Sequence, residues 1–203
     1  MLAASITWLC YLDRKEEAQR LCDYIIEEVL PEIGETQFIS LTEVLYPICL
    51  FLKDQSKEKA MEALELYNKY VIRPMDMETA LPAAVQFTIP MIIILKCRSS
   101  DGDGIDSMQD DVASILDLDE GFQSWVELGS LAYWDIAYSS ICADACLLLA
   151  NMRSCNEEDK AALIKESTRY LSISEVTLMK EDDGRSISAL AYSYYSRIRS
   201  LIE

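Results

Sequence analysis

Apolar positions recur at helical spacing along nearly the whole chain. From Glu16 onward, Ala18, Leu21, Cys22, Ile25, Ile26 and Val29 fall at i, i+3, i+4, i+7, i+8 and i+11, one stripe on one helix face. An apolar stretch from about Leu2 to Leu12 precedes it, broken off at Asp13-Arg14-Lys15. Together they predict a helical hairpin over residues 2–33, ended by Pro31 and Gly34. A second hairpin is predicted over 36–73: Thr36 or Ser40 caps a helix running to Lys53, Asp54-Gln55-Ser56 interrupts, and a helix from about Lys57 to Ile72 follows, stopped by Pro74. Ala60, Ala63, Leu64, Leu66, Tyr67, Tyr70 and Val71 form its apolar side, and Glu65–Lys69 is a favourable i, i+4 charge pair. The third hairpin, 79–117, joins a helix from Thr79 to Lys96, through a polar loop over 99–104, to a helix from about Ser107 to Leu116. The fourth, 122–172, is a near-continuous pattern from Phe122 to Asn151, answered by Glu157 to Leu171. A last amphipathic helix over 186–202 is expected to cap the stack and to bury Ile187, Leu190, Ala191, Tyr194, Ile198 and Leu201.

Two first helices share a signature. Tyr46-Pro47-Ile48-Cys49-Leu50-Phe51-Leu52-Lys53 and Ile89-Pro90-Met91-Ile92-Ile93-Ile94-Leu95-Lys96 each carry a proline, an apolar run and a lysine. Internal repetition of this kind fixes architecture before local detail does. Pro47 and Pro90 each remove a helix hydrogen bond, so each either kinks its helix or starts it.

The second helices align on a small residue, as Glu17-Ala18-Gln19-Arg20-Leu21-Cys22, Glu62-Ala63-Leu64-Glu65-Leu66-Tyr67 and Ala161-Ala162-Leu163-Ile164-Lys165-Glu166. The run from Glu62 to Tyr70 followed by Pro74 resembles the second half of a tetratricopeptide repeat, and Trp125-Val126-Glu127-Leu128-Gly129 resembles its first half. Equivalent alanines are about 45–50 residues apart rather than the family's 34, and the first helices are more apolar. The resemblance implies an all-α fold of stacked antiparallel hairpins, a divergent tetratricopeptide-like superhelix formed as one domain over 1–203. It also implies a concave face lined by first helices, on which Glu43, Tyr46 and Gln86 are the candidate contacts to a protein partner. Arrays of this type also occur as appended helical regions of large signalling ATPases and cyclases.

Composition narrows the field. The chain has 203 residues, 51% of them hydrophobic, with only six glycines and five prolines. That is enough apolar surface for a substantial core and too few turn residues for an all-β fold. A net charge of −17 repels phosphate backbones and anionic membrane surfaces, so neither nucleic acid nor membrane is an expected partner. The seven cysteines are odd in number and lack framework spacing, which points to a reducing compartment, the cytoplasm or nucleus. The N-terminal stretch lacks a basic n-region, and no uncharged run approaches the ~20 residues needed to span a bilayer.

Candidate chemistry is sparse. There is no histidine, so Ser-His-Asp and Cys-His devices are excluded. Cys142 and Cys146 share a helix face, with Cys155 beyond; apolar packing accounts for them better than a metal site, which needs four converging ligands. The segment from Ser99 to Asp110 fits a twelve-position calcium loop, with Ser99, Asp101, Asp103 and Asp110 at ligand positions and Gly104 at the turn. Against it stand Asp106 at an ordinarily apolar position and aspartate where a bidentate glutamate belongs; the plainer reading is a solvated insertion. Calorimetry with millimolar calcium tests it. Asp110, Asp111, Asp117 and Asp119 lack the spacing of a magnesium–diphosphate site. No metal, cofactor or small-molecule substrate is therefore expected. The sequence predicts a non-catalytic scaffold that binds a protein or other domains of a longer chain. A structural spacer within a large signalling enzyme and an all-α enzyme without a familiar motif are the alternatives.

Overall fold

The polar breaks between paired stretches act as helix stops and starts because their side chains supply the caps. Asp13 adopts a φ of 60°, a left-handed conformation that aspartate tolerates better than most residues. The N–H groups of Asp13 and Arg14 return to the carbonyls of Cys10 and Leu9 at 3.2 and 2.9 Å, closing the first helical stretch. At the later breaks, the Ser56 hydroxyl accepts the Lys59 N–H at 3.3 Å and the Asn156 side-chain oxygen accepts the Asp159 N–H at 2.9 Å.

The computed structural model describes residues 5–6, 9–10, 12–29, 32, 51–52, 54–70, 89–117, 132–180 and 186–203. Every regular element among the described residues is helical. Helix α1 spans Lys15–Tyr24 and passes into a π-helical turn, Ile25–Val29, which its sequence pattern does not reveal. Helix α2 is Lys57–Tyr70, α3 Ile89–Ser99, α4 Gly102–Asp106, α5 Gln109–Asp117, α6 Ala132–Ala150, α7 Glu157–Lys180 and α8 Ser186–Ile202. The predicted loop over 99–104 is thus largely taken up by the single turn of α4, and α7 runs nine residues past its predicted end at Leu171. Pro90 lies in α3 and is buried, whereas Pro47 is outside the described residues.

Packing follows chain order. Helix α2 lies on α3, α3 on α5, α5 on α6, α6 on α7 and α7 on α8; in addition α3 touches α6, and α6 touches α8. At the centre is α6. A helix apolar on every side has to be enclosed on every side, and each residue from Tyr138 to Leu148 is buried. Ser139, Ser140, Ala143, Ala145 and Cys146 keep it slim enough for neighbours to close in.

The small residues of the second helices separate into two cases. Ala18 and Ala63 are fully buried, as the alignment requires. Ala161 and Ala162 are exposed, while Leu163 and Ile164 beside them pack on the core. The small buried residue of α7 is Ser167, whose hydroxyl donates to the Ala143 carbonyl at 2.9 Å. An Ala63→Met substitution is expected to lower stability by about 1–3 kcal/mol through overpacking, read from urea midpoints. No change in midpoint would show that Ala63 is not at a close helix approach.

One further expectation needs correction. Leu201, placed on the buried side of α8, is 44% exposed, while Tyr194, Tyr195 and Ile198 form the buried side. Lys69 also forms an ion pair with Asp23 of α1 at 3.2 Å.

Candidate functional site

The most concentrated polar chemistry in the described structure is one carboxylate held by two other helices. Asp144 is the sole charged residue between Asp135 and Arg153, set in the apolar run of α6. Its side chain is completely buried. Such a charge must be paired and hydrogen-bonded or its desolvation is prohibitive. Arg98, near the C-terminal end of α3, forms an ion pair with one carboxylate oxygen. The phenol of Tyr194, from α8, donates to the other at 2.7 Å.

The electrostatics are consistent with that arrangement. Burial pulls the Arg98 guanidinium down, but the adjacent Asp144 charge and hydrogen bond more than offset it, leaving the group above its usual range. Burial, reinforced by Asp144, pushes the Tyr194 phenol well above its ordinary value, so it remains a neutral donor. The Tyr194 ring also meets Phe51 edge-on, with centroids 6.0 Å apart and planes at 60°. Residues 51, 98, 144 and 194 therefore converge from the second, third and fourth hairpins and the last helix. With one oxygen on a guanidinium and the other on a phenol, the carboxylate is arranged to hold helices and read a hydroxyl rather than to transfer protons.

Several polar contacts tie together segments distant in the sequence, besides the shorter-range Ser167–Ala143 contact between α6 and α7. Lys57 with Asp101, Lys69 with Asp23, Arg98 with Asp144, Arg153 with Asp103 and Asp106, Ser154 with Gln109 and Tyr194 with Asp144 all join residues 44 to 50 positions apart.

The calcium-loop residues are drawn to different partners. Asp101 pairs with Lys57, and Asp103 accepts from Arg153 at 2.5 Å. The Asp106 carboxylate accepts the Arg153 backbone N–H at 3.1 Å. Ser99 turns its hydroxyl back to the Lys96 carbonyl at 2.9 Å, and Asp110 opens α5. A helical turn over Gly102–Asp106 replaces the extended alternation a calcium loop uses, so these four residues do not converge. Among the described residues no three Cys, Asp or Glu side chains come together in a metal-binding arrangement. Glu43, Tyr46 and Gln86, and the segment Trp125–Gly129, lie outside the described residues.

Cys10, Cys22, Cys97, Cys142 and Cys146 are buried free thiols, and Cys155 is half-buried. Burial pushes Cys22 and Cys146 up to about 12 and Cys97 to about 11. A thiol held neutral in the fold but ionised in the unfolded chain contributes stability below its ordinary pKa of 9.0, and that contribution is lost as pH rises toward 11–12. Two results are expected. Alkylation of the native protein near pH 8, read by peptide mass, modifies Cys155 well before Cys22, Cys97 or Cys146. Denaturant midpoints decline progressively above about pH 9. Equal labelling of all four thiols would contradict their burial.

Among the described residues no helix is long and apolar enough to cross a membrane. No family model matches the chain, and no curated protein or solved structure matches it either.

Proposed function

We propose that this protein is a non-catalytic, tetratricopeptide-like α-solenoid that binds another protein or another domain of a longer polypeptide. The observation carrying this reading is that helices neighbouring in sequence pack on one another, α2 on α3, α3 on α5, α5 on α6, α6 on α7 and α7 on α8. Such an array offers an extended concave face lined by the first helix of each pair, and protein or peptide segments are the ligands that fit it. The engaged carboxylate of Asp144 and the buried thiols favour binding over chemistry.

Glu43, Tyr46 and Gln86 are the proposed contacts on that face. The test is affinity capture with wild-type protein and with Glu43→Lys and Gln86→Glu variants whose circular dichroism and melting are unchanged. A protein retained by the wild type and lost from both variants supports the reading. Identical capture profiles overturn the assignment of that face.

A further inference from the structure

Helix α4 is fastened to its surroundings by charge more than by apolar contact. It is five residues long, Gly102–Asp106, and buries none of them. Ile105 and, just beyond the helix, Met108 pack half-buried against the core. The carboxylates of this segment are held from two sides. Lys57, the first residue of α2, pairs with Asp101; Arg153, in the turn between α6 and α7, pairs with Asp103 at 2.5 Å and Asp106 at 3.6 Å. The Arg153 backbone N–H also donates to Asp106 at 3.1 Å, and the Ser154 hydroxyl donates to Gln109 at 2.8 Å. These ties face water: the side chains of Asp101 and Asp103 are 94% and 86% exposed, and that of Arg153 is 75% exposed. Ion pairs in such surroundings hold weakly and are open to screening. A short segment held in that way opens at far lower cost than a helix enclosed like α6.

What this segment covers is a thiol. Cys97 is fully buried in α3, and its S–H donates to the Met108 sulfur at 3.7 Å. Met108 lies two residues past α4, so lifting the segment withdraws the sulfur that closes over Cys97. We infer that residues 101–108 form a charge-latched flap over Cys97, held shut by Lys57 and Arg153, which opens while the rest of the helical stack stays folded. The flap makes Cys97 a conditionally accessible thiol, reached by reagents when the latch is released.

The test is the rate at which an uncharged maleimide labels each cysteine of the native full chain, read by peptide mass. That rate follows the population of the open form when closing is fast. Arg153→Gln is expected to speed labelling of Cys97 about three- to tenfold, the effect of losing a pair of weak surface contacts. Cys22 and Cys146, buried in α1 and α6, are the internal references and keep their wild-type rates. Arg153→Lys, which retains the charge, is expected to stay nearer to wild type than Arg153→Gln does. In about 1 M sodium chloride, where the screening length shrinks to ~3 Å, wild-type Cys97 is expected to speed up and Arg153→Gln to respond less. Hydrogen exchange in Arg153→Gln is expected to quicken over 101–108 while α6 and α7 stay protected. Equal Cys97 rates in wild type and Arg153→Gln, or slower labelling of the wild type in high salt, would overturn the inference by showing that charge does not hold the flap. Acceleration of Cys97, Cys22 and Cys146 together would overturn it by showing that the whole stack opens.

Discussion

Replacing Asp144 with alanine is expected to lower the melting temperature by about 6–20 °C, the equivalent of roughly 3–5 kcal/mol for a chain of this size. The loss arises from what remains behind. Arg98, whose side chain is 29% exposed, keeps a charge without its partner, and the buried Tyr194 hydroxyl keeps a donor without its acceptor. Deleting one member of a buried pair is far worse than deleting both. The double substitution Asp144→Leu with Arg98→Met is accordingly expected to recover much of the loss, and calorimetric melting of the three proteins measures it. If the single and double variants melt together, the pair is not desolvated as described.

Phe51→Ala is expected to destabilise by about 3–5 kcal/mol, at the upper end for aromatic truncation in a core. Phe51 is fully buried, and its edge contact with Tyr194 joins the second hairpin to the last helix. The consequence is therefore non-local. Exchange protection in α8 should weaken along with protection in α2, although more than a hundred residues separate them. An effect confined to residues 51–70 would show that the two ends of the described array are independent.

Much of the helix pattern was legible because amphipathic spacing and cap residues act locally. The starts of α2 at Lys57, α7 at Glu157 and α8 at Ser186 follow from Ser56, Asn156 and the apolar stripes after them. The buried face of α1 is the predicted one, with Ala18, Cys22 and Ile25 inside. Residues whose role depends on a distant neighbour were harder to read. Asp101 and Asp103 have calcium-ligand spacing, and the local pattern gives no sign of the cations they pair with, Lys57 and Arg153. Ala161 and Ala162 match the pattern of a close approach, yet the contact falls further along α7, at Ser167. Leu201 fits the helical period of α8, but the core contact passes from Ile198 to Ile202 and leaves Leu201 exposed.

The candidate site was missed for the same reason. Asp144 carried a visible signal, a lone charge in an otherwise apolar run, and a buried carboxylate there demands a cation and a donor. Which cation could not be read from the local pattern: Arg98 lies 46 residues before it and Tyr194 50 after.

A nuclear Overhauser spectrum of the full chain with labelled phenylalanine and tyrosine rings tests the central claim most directly. The account predicts a cross-peak between the rings of Phe51 and Tyr194, which disappears in Phe51→Leu, and slow exchange of a Tyr194 hydroxyl hydrogen-bonded to Asp144. Assigned resonances for both rings with no cross-peak between them would contradict it, because α8 would then lie away from the face formed by the first helices.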